Sequence, residues 1–214
     1  MTALALSRTG FDVTIYERAE VLEEFGAGLQ LTPNATRVLS NLRVLEGVRA
    51  FATSPSAISA IRGSDDVTLM RMPIGDAERR WGAPYLAIHR ADVQRALGDA
   101  LRRQSSSKLC FGSTVTDVWA YGDQISVGVK RGSRKIQDFA DLLVGADGVR
   151  SRVREHFGFG ETDEPAFAGH VAFRATVDSA HVDSRWMRPE VCLRLGPHAH
   201  LVLREPLRQR ALRP

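Results

Sequence analysis

The stretch Asp141-Leu-Leu-Val-Gly145-Ala-Asp147-Gly148-Val-Arg150-Ser-Arg152-Val-Arg154 decides how this chain is read. A short apolar run stops at Gly-Ala-Asp-Gly, and a basic segment of helical character follows at once. That order predicts a buried strand over residues 142–145 turning sharply into a helix. A strand apolar on both faces belongs to a parallel sheet covered by helices on either side. Gly145 and Gly148 permit a tight turn and the close approach of another group to the backbone. Asp147 then falls where the carboxyl end of a strand meets a helix N-terminus, the ligand crevice of open α/β sheets. The plainer alternative is an Asp-Gly turn followed by a solvated arginine helix.

Upstream, residues 2–9 read as a short helix closed by Gly10. Phe11-Asp-Val-Thr-Ile-Tyr follows as a β-rich run ending in Glu17 and Arg18. Helix, glycine, strand and acid form the second half of a dinucleotide-binding βαβ unit, in which the terminal acid bonds a ribose hydroxyl. A solvated surface acid is the competing reading of Glu17. The strand and Gly-x-Gly-x-x-Gly loop expected before such a helix are not in the sequence, which begins at Met1.

Glu23-Glu-Phe-Gly26-Ala-Gly28-Leu-Gln30-Leu-Thr-Pro33-Asn34 reads as a glycine-bearing loop entering a helix, with Thr32 as N-cap and Pro33 in the first turn. That helix runs towards Phe51 with a break near residues 41–43. Residues 58–63 and 67–72 form a predicted hairpin around Ser64-Asp65-Asp66, and residues 73–84 an irregular connection. Residues 85–89 are a strand running into a helix that lasts through Leu101, with His89 and Arg90 at the junction. An arginine there suits a phosphate or ribityl oxygen, with a surface ion pair as the alternative. Residues 109–111, 114–120, 124–129 and 135–144 are strand-like, and so are 167–177, 191–195 and 199–203. The second half therefore reads as an antiparallel sheet region distinct from the α/β part.

A chain of 214 residues, 43% hydrophobic and 25% charged, has the composition of a globular protein with a sizeable core. No apolar run approaches the roughly 18 residues that span a bilayer, and no secretory signal is visible, so no membrane partner is expected. Cys110 and Cys192 stand alone, which suits a cytoplasmic protein with free thiols. Of the net charge of +4, three charges sit in residues 204–214, where four arginines face Glu205. The rest of the chain has no basic stripe, which argues against a nucleic-acid partner. His89, His170, His181, His198 and His200 lack partners at metal-ligand spacing, so no metal is predicted. The absence of a Gly-x-Ser-x-Gly elbow argues against a hydrolase.

Taken in order, Glu17-Arg18, residues 26–34, His89-Arg90-Ala-Asp92, Gly145-Ala-Asp147-Gly148-Val-Arg-Ser and Gly169-His-Val-Ala-Phe-Arg174 resemble the single-component FAD-dependent aromatic hydroxylases, the class related to salicylate and 3-hydroxybenzoate hydroxylases. The likeness covers nearly all of residues 1–203. It implies an α/β fold: a partial Rossmann-like FAD-binding domain (residues 1–57 and 85–158) joined to a partial antiparallel β-sheet substrate domain (residues 58–84 and 159–214).

By the same resemblance, Glu17 bonds the adenosine ribose and Arg18 lies against the adenine. Gly28 and Gln30 line the loop beside the flavin ring, Gln30 on the substrate side. Arg90 holds the ribityl–pyrophosphate region with Gln94 beside it, and the backbone of Val115 meets the adenine. Asp147 and Gly148 belong to a motif that serves both FAD and NAD(P)H, while Arg174 lies in the substrate sheet. The implied chemistry is reduction of FAD by NADH or NADPH, then oxygen transfer from O2 to a small, electron-rich phenol or hydroxybenzoate. The cofactor performs the hard step, and the protein positions the ring and excludes water.

The sequence also departs from the family. A second FAD motif of Gly-Asp-Ala-Ala-His-Pro type is expected beyond residue 214, and the tail from Leu203 carries Glu205 where an aromatic belongs. Without the first strand, residues 11–16 and 142–145 lose a shared neighbour. Each unpaired buried backbone group costs about 1–3 kcal/mol, against a total stability of about 5–15 kcal/mol. The expectation is therefore that this chain alone binds FAD weakly or not at all. A non-catalytic remnant of such an enzyme, or another flavoprotein oxidoreductase such as a halogenase or reductase, are the alternatives.

Overall fold

A computed structural model describes residues 1–22, 28–158, 165–175 and 177–203. The loop residues Glu23 to Ala27, including Gly26, and the arginine-rich tail from Arg204 lie outside the described residues. The chain opens with α1 (Thr2–Arg8), and Gly10 takes the left-handed φ of 95° that the turn into β1 (Val13–Tyr16) requires. β1 pairs in parallel with β6 (Ser107–Cys110). This is the predicted helix–glycine–strand unit, shortened by two residues at its start.

The predicted glycine loop ends in a strand that the sequence reading missed. β2 (Gly28–Leu31) runs antiparallel to β5 (Leu86–His89), Gly28 opposite His89 and Gln30 opposite Ala87. α2 (Pro33–Asn41) follows with Pro33 in its first turn and Thr32 as N-cap. The predicted break is real: Arg43 takes a φ of 48°, and α3 (Leu45–Arg49) begins beyond it. α5 (Arg90–Arg102) leaves β5 directly. Leu4, Leu39, Leu42, Leu45, Val48, Ile88, Val93 and Leu101 from these elements form the main core. Each fully buried aliphatic side chain there contributes about 1.5–3 kcal/mol.

Two further sheets flank this core. β7 (Ser113–Tyr121), β8 (Gln124–Arg131) and β9 (Arg134–Ala140) make an antiparallel meander. β3 (Ala57–Arg62), β4 (Thr68–Pro73), β10 (Glu190–Leu195) and β11 (His200–Leu203) form a four-stranded sheet in the order β11-β10-β3-β4. The hairpin β3–β4 is as expected, but β10 runs parallel to β3, so this sheet is mixed rather than antiparallel. The connection read as irregular contains α4 (Ala77–Trp81), with Asp76 at its N-cap and Gly82 left-handed at its end. Acid before and glycine after are helix boundary signals that a five-residue helix makes easy to overlook.

Two predicted strands do not form. Residues 142–145 form no strand, and Leu142 and Val144 are 56% and 47% exposed rather than buried. β9 ends at Ala140 and β1 pairs only with β6, so no described strand offers this run a ladder. An apolar run without a hydrogen-bonding neighbour has no reason to become a strand. Residues 167–177 fail for the same reason: the described ones lie in no strand, and Phe173 is 94% exposed. α6 (Arg152–His156) is the helix predicted after Asp147.

Candidate functional site

Glu17 sits immediately beyond β1, where the β1–β6 pair ends. Its backbone is fixed on both sides: its N–H donates to the Cys110 carbonyl and its carbonyl accepts from Ser113 N–H, each at 2.9 Å. The carboxylate takes one local bond, from the Ala19 N–H to Oε1 at 2.9 Å. Oε2 has no partner among the described residues, so one oxygen remains open to a hydroxyl. Arg18 is exposed beside it. The Ser113 bond brings Val115 close in chain and space, because β7 starts from that contact.

The β2–β5 register brings together a second group. Gly28 faces His89, so the end of the glycine loop lies at the residue that caps α5. His89 Nδ1 accepts from Ala91 N–H at 3.3 Å, which turns the chain into the helix and leads with Arg90. Arg90 is exposed and has no hydrogen bond or ion pair to a described residue. Gln94 lies one turn on, on the same helix face. Gln30, two residues past Gly28, accepts a hydrogen bond from the Tyr85 hydroxyl at 2.5 Å. With its carbonyl oxygen so engaged, its amide N–H groups remain available as donors. Sequence reasoning missed Tyr85, though an aromatic after Pro84 at the start of an apolar run is a visible signal.

Asp147 does a definite local job. The side chain is exposed and turns onto the start of α6. Oδ2 accepts from Arg152 N–H at 2.7 Å and Val153 N–H at 3.2 Å, and Oδ1 from the Ser151 hydroxyl at 2.5 Å. Ser151 Oγ in turn accepts from Arg154 N–H at 3.0 Å. Slight burial pushes the Asp147 carboxyl up, but the Ser151 hydroxyl and the backbone N–H groups outweigh it and hold it below the usual range. Gly148, at a φ of 83°, makes the turn. Gly145 is where another group approaches closely: a Cβ there would lie 2.9 Å from Val153 Cβ. Among the described residues no hydrogen bond or ion pair joins Asp147 to Glu17 or Arg90. Arg174 lies in an exposed, irregular stretch and not in a sheet.

Two cavities accompany these groups. One, of about 190 Å³, lies between β7 and α6 and is lined by Val115, Asp117, Trp119, Arg152 and His156 among others. The other, of about 320 Å³, is lined by Pro33, Asn34, Arg37, Met72, Ile74, Trp81 and Tyr85.

The family model described as FAD binding domain matches residues 1–211. The chain belongs to that family. It is 33% identical over 211 residues to the 3-amino-4-hydroxybenzoate 2-monooxygenase PtmB3 of Streptomyces platensis, covering 98% of this chain and 51% of that protein. It is 34% identical over 202 residues to a 3-hydroxybenzoate 6-hydroxylase of Klebsiella oxytoca, covering 94% and 49%. Among solved structures, a Klebsiella pneumoniae HpxO variant complexed with FAD matches with a TM-score of 0.69 at 20% identity, over 97% of this chain and 51% of that one. At that identity the match speaks for the fold alone. The chain spans about half the length of the curated relatives it matches.

As a member of the FAD binding domain family the chain has a donor and acceptor set that suits the cofactor. A carboxylate with one oxygen unpartnered among the described residues follows a parallel strand, and a guanidinium with no described partner and an amide share the start of one helix. These are the groups that ribose hydroxyls and phosphate oxygens need. No described helix is long and apolar enough to cross a membrane.

Proposed function

We propose that this chain is the cofactor-binding and substrate-side portion of an FAD- and NAD(P)H-dependent monooxygenase that hydroxylates a small, hydroxybenzoate-like aromatic ring. The family match over residues 1–211, together with identity to two hydroxybenzoate oxygenases across at least 94% of the chain, carries this reading. FAD, when bound, supplies the redox chemistry between NADH or NADPH, O2 and the ring. Glu17 accepts from an adenosine ribose hydroxyl through its free oxygen, with Arg18 and the Val115 backbone against the adenine. Arg90 and Gln94 hold phosphate and ribityl oxygens, and Gly28 lets the backbone approach the flavin ring. Gln30, its carbonyl held by Tyr85, points its amide donors to the substrate side. Asp147 and Gly148 act by building the turn and the α6 start rather than through a free carboxylate. Residues 1–57 with 85–158 are the cofactor part, and residues 58–84 with 159–214 the substrate-sheet part. Two buried, unpaired thiols suit a cytoplasmic setting.

A second reading, that this chain by itself is catalytically silent, draws support from the unpaired apolar run at residues 142–145. One titration separates the two. FAD is added to the purified chain, flavin fluorescence quenching gives the affinity, and NADH oxidation is followed with 3-hydroxybenzoate present. Binding weakened about tenfold or more by Glu17→Ala supports the cofactor role, since a charge-assisted hydrogen bond is lost. Binding indifferent to both Glu17→Ala and Arg90→Ala removes the assigned site. Binding without turnover favours the silent reading.

A further inference from the structure

The larger cavity lies between the start of α2, the helix α4 and the strand β4, and nothing above gives it a role. Its walls are the side chains of Pro33, Met72, Ile74, Trp81 and Tyr85, mostly apolar or aromatic. Among the described residues of its lining, Arg37 is the one charged group. Arg37 donates from Nη2 to the Trp81 carbonyl at 2.6 Å, which fixes the guanidinium beside the opening. Its Nε and Nη1 have no partner among the described residues, and no described carboxylate pairs with it. The acids of α4 and its cap are already engaged, Asp76 by Arg79 at 2.8 Å and Arg80 at 3.6 Å, and Glu78 by Arg49 at 2.5 Å. Arg80 covers the Trp81 ring, its guanidinium carbon 4.4 Å from the centroid. The cavity therefore combines apolar walls with one uncompensated positive charge.

We infer that this cleft is a recognition subsite for a monocyclic aromatic carboxylate. The ring lies against Trp81, Met72 and Ile74, and the carboxylate pairs with the free edge of Arg37. Size agrees: an apolar cavity of about 150 Å³ already takes benzene, and about 320 Å³ leaves room for a carboxylate and a ring substituent. Charge agrees as well, because a neutral ring would leave Arg37 unpaired and a cationic one would be repelled. Tyr85 links the cleft to the proposed chemistry, as its ring lines the cavity while its hydroxyl donates to Gln30. An occupant that moves Tyr85 thereby reorients the Gln30 amide. The inference rests on the proposed function for its tie to a reaction, and on the cleft alone for binding.

Trp81 provides the readout. In the 214-residue chain carrying Trp119→Phe and Trp186→Phe, Trp81 is the remaining indole, and its emission is followed while benzoate, or phenol as an uncharged ring, is added. Benzoate should perturb the emission with an affinity that falls about tenfold in Arg37→Gln, the loss of one charge-assisted contact, while phenol binds that variant unchanged. Met72→Trp, a β-compatible filling of the cavity on an exposed strand, should exclude both probes in equilibrium dialysis, a readout its added indole does not disturb, with the far-ultraviolet circular dichroism retained. Benzoate affinity unchanged in Arg37→Gln or in Met72→Trp overturns the inference. FAD titration of the same samples keeps the two claims apart. FAD binding without the benzoate pattern sinks the subsite alone, and the benzoate pattern without FAD binding leaves the subsite standing and favours the catalytically silent reading of this chain.

Discussion

Replacing Asp147 tests whether this residue works as a helix cap or as a free charge. Its carboxylate accepts from Arg152 N–H, Val153 N–H and the Ser151 hydroxyl. Two of the four orphan N–H groups of α6 thus depend on it, and Ser151, which it orients, serves a third at Arg154. Loss of such a cap costs about 1 kcal/mol, within a range of roughly 0.5–2. The exposed setting argues for the middle of that range. About 1 kcal/mol in the local opening equilibrium is roughly a fivefold rise in amide exchange. Asp147→Ala should accelerate exchange at Arg152, Val153 and Arg154 by about that factor, leaving β8 and α5 unchanged. Asp147→Asn, a comparable cap without charge, should stay close to the parent. The pH dependence has a definite sign. The folded carboxyl is held below its ordinary value, so its contribution is complete above the unfolded pKa of about 3.9 and is lost as pH falls through the folded one. Hydrogen-exchange mass spectrometry across 150–158 is the assay. Unchanged exchange in Asp147→Ala, or Asp147→Asn as damaging as Asp147→Ala, would refute the capping argument.

Other consequences can be checked on the same chain. Gly145→Ala puts a Cβ 2.9 Å from Val153 Cβ and should cost about 1–3 kcal/mol of local stability as overpacking, largely recovered in the double variant with Val153→Ala; urea denaturation of the four proteins closes that cycle. Tyr16→Phe removes the phenol bond to Asp138 that ties β1 to β9 and should cost about 1 kcal/mol by chemical denaturation. Burial first, then the Asp138 bond, raises that phenol's pKa, so its share of stability is full below the ordinary value of about 10. It is lost as pH rises through the folded value, and alkaline melts of parent and variant should converge. Glu190 is held below the usual carboxylate range first by the Ser59 hydroxyl and then, against some burial, by Arg71. Glu190→Gln should cost about 1–2 kcal/mol, most of it from Ser59 because Arg71 is half exposed, and the parent's advantage in melting temperature should fade below about pH 4.

Local signals carried much of the fold. Gly10, Thr32-Pro33, the break at Arg43 and the alternation across 113–140 act over a few residues, so the sequence shows α1, α2, α5 and the meander with small boundary errors. Glu17, Gly28, Gln30 and Arg90 were legible as candidates because their residue types recur at fixed places around βα junctions. Sequence could not show which of them meet. Only the β2–β5 register sets Gly28 against His89 and gives Gln30 its bond to Tyr85. Nor could composition reveal that Arg37 and Trp81 share a cavity, since 44 positions separate them.

The two predicted strands that do not form have one physical origin. An apolar run specifies that a segment will be a strand only if a neighbour completes its hydrogen bonds, and that neighbour is supplied by tertiary structure. Residues 142–145 and 167–177 have β composition and no described ladder partner, so the described ones lie in no strand. Asp147 illustrates the same division. The Asp-Gly pair and the following serine fixed a turn into a helix, because capping needs only neighbours a few residues away. Long-range packing decided the setting of that turn: α6 packs beside β7, and the apolar run before it finds no ladder among the described strands.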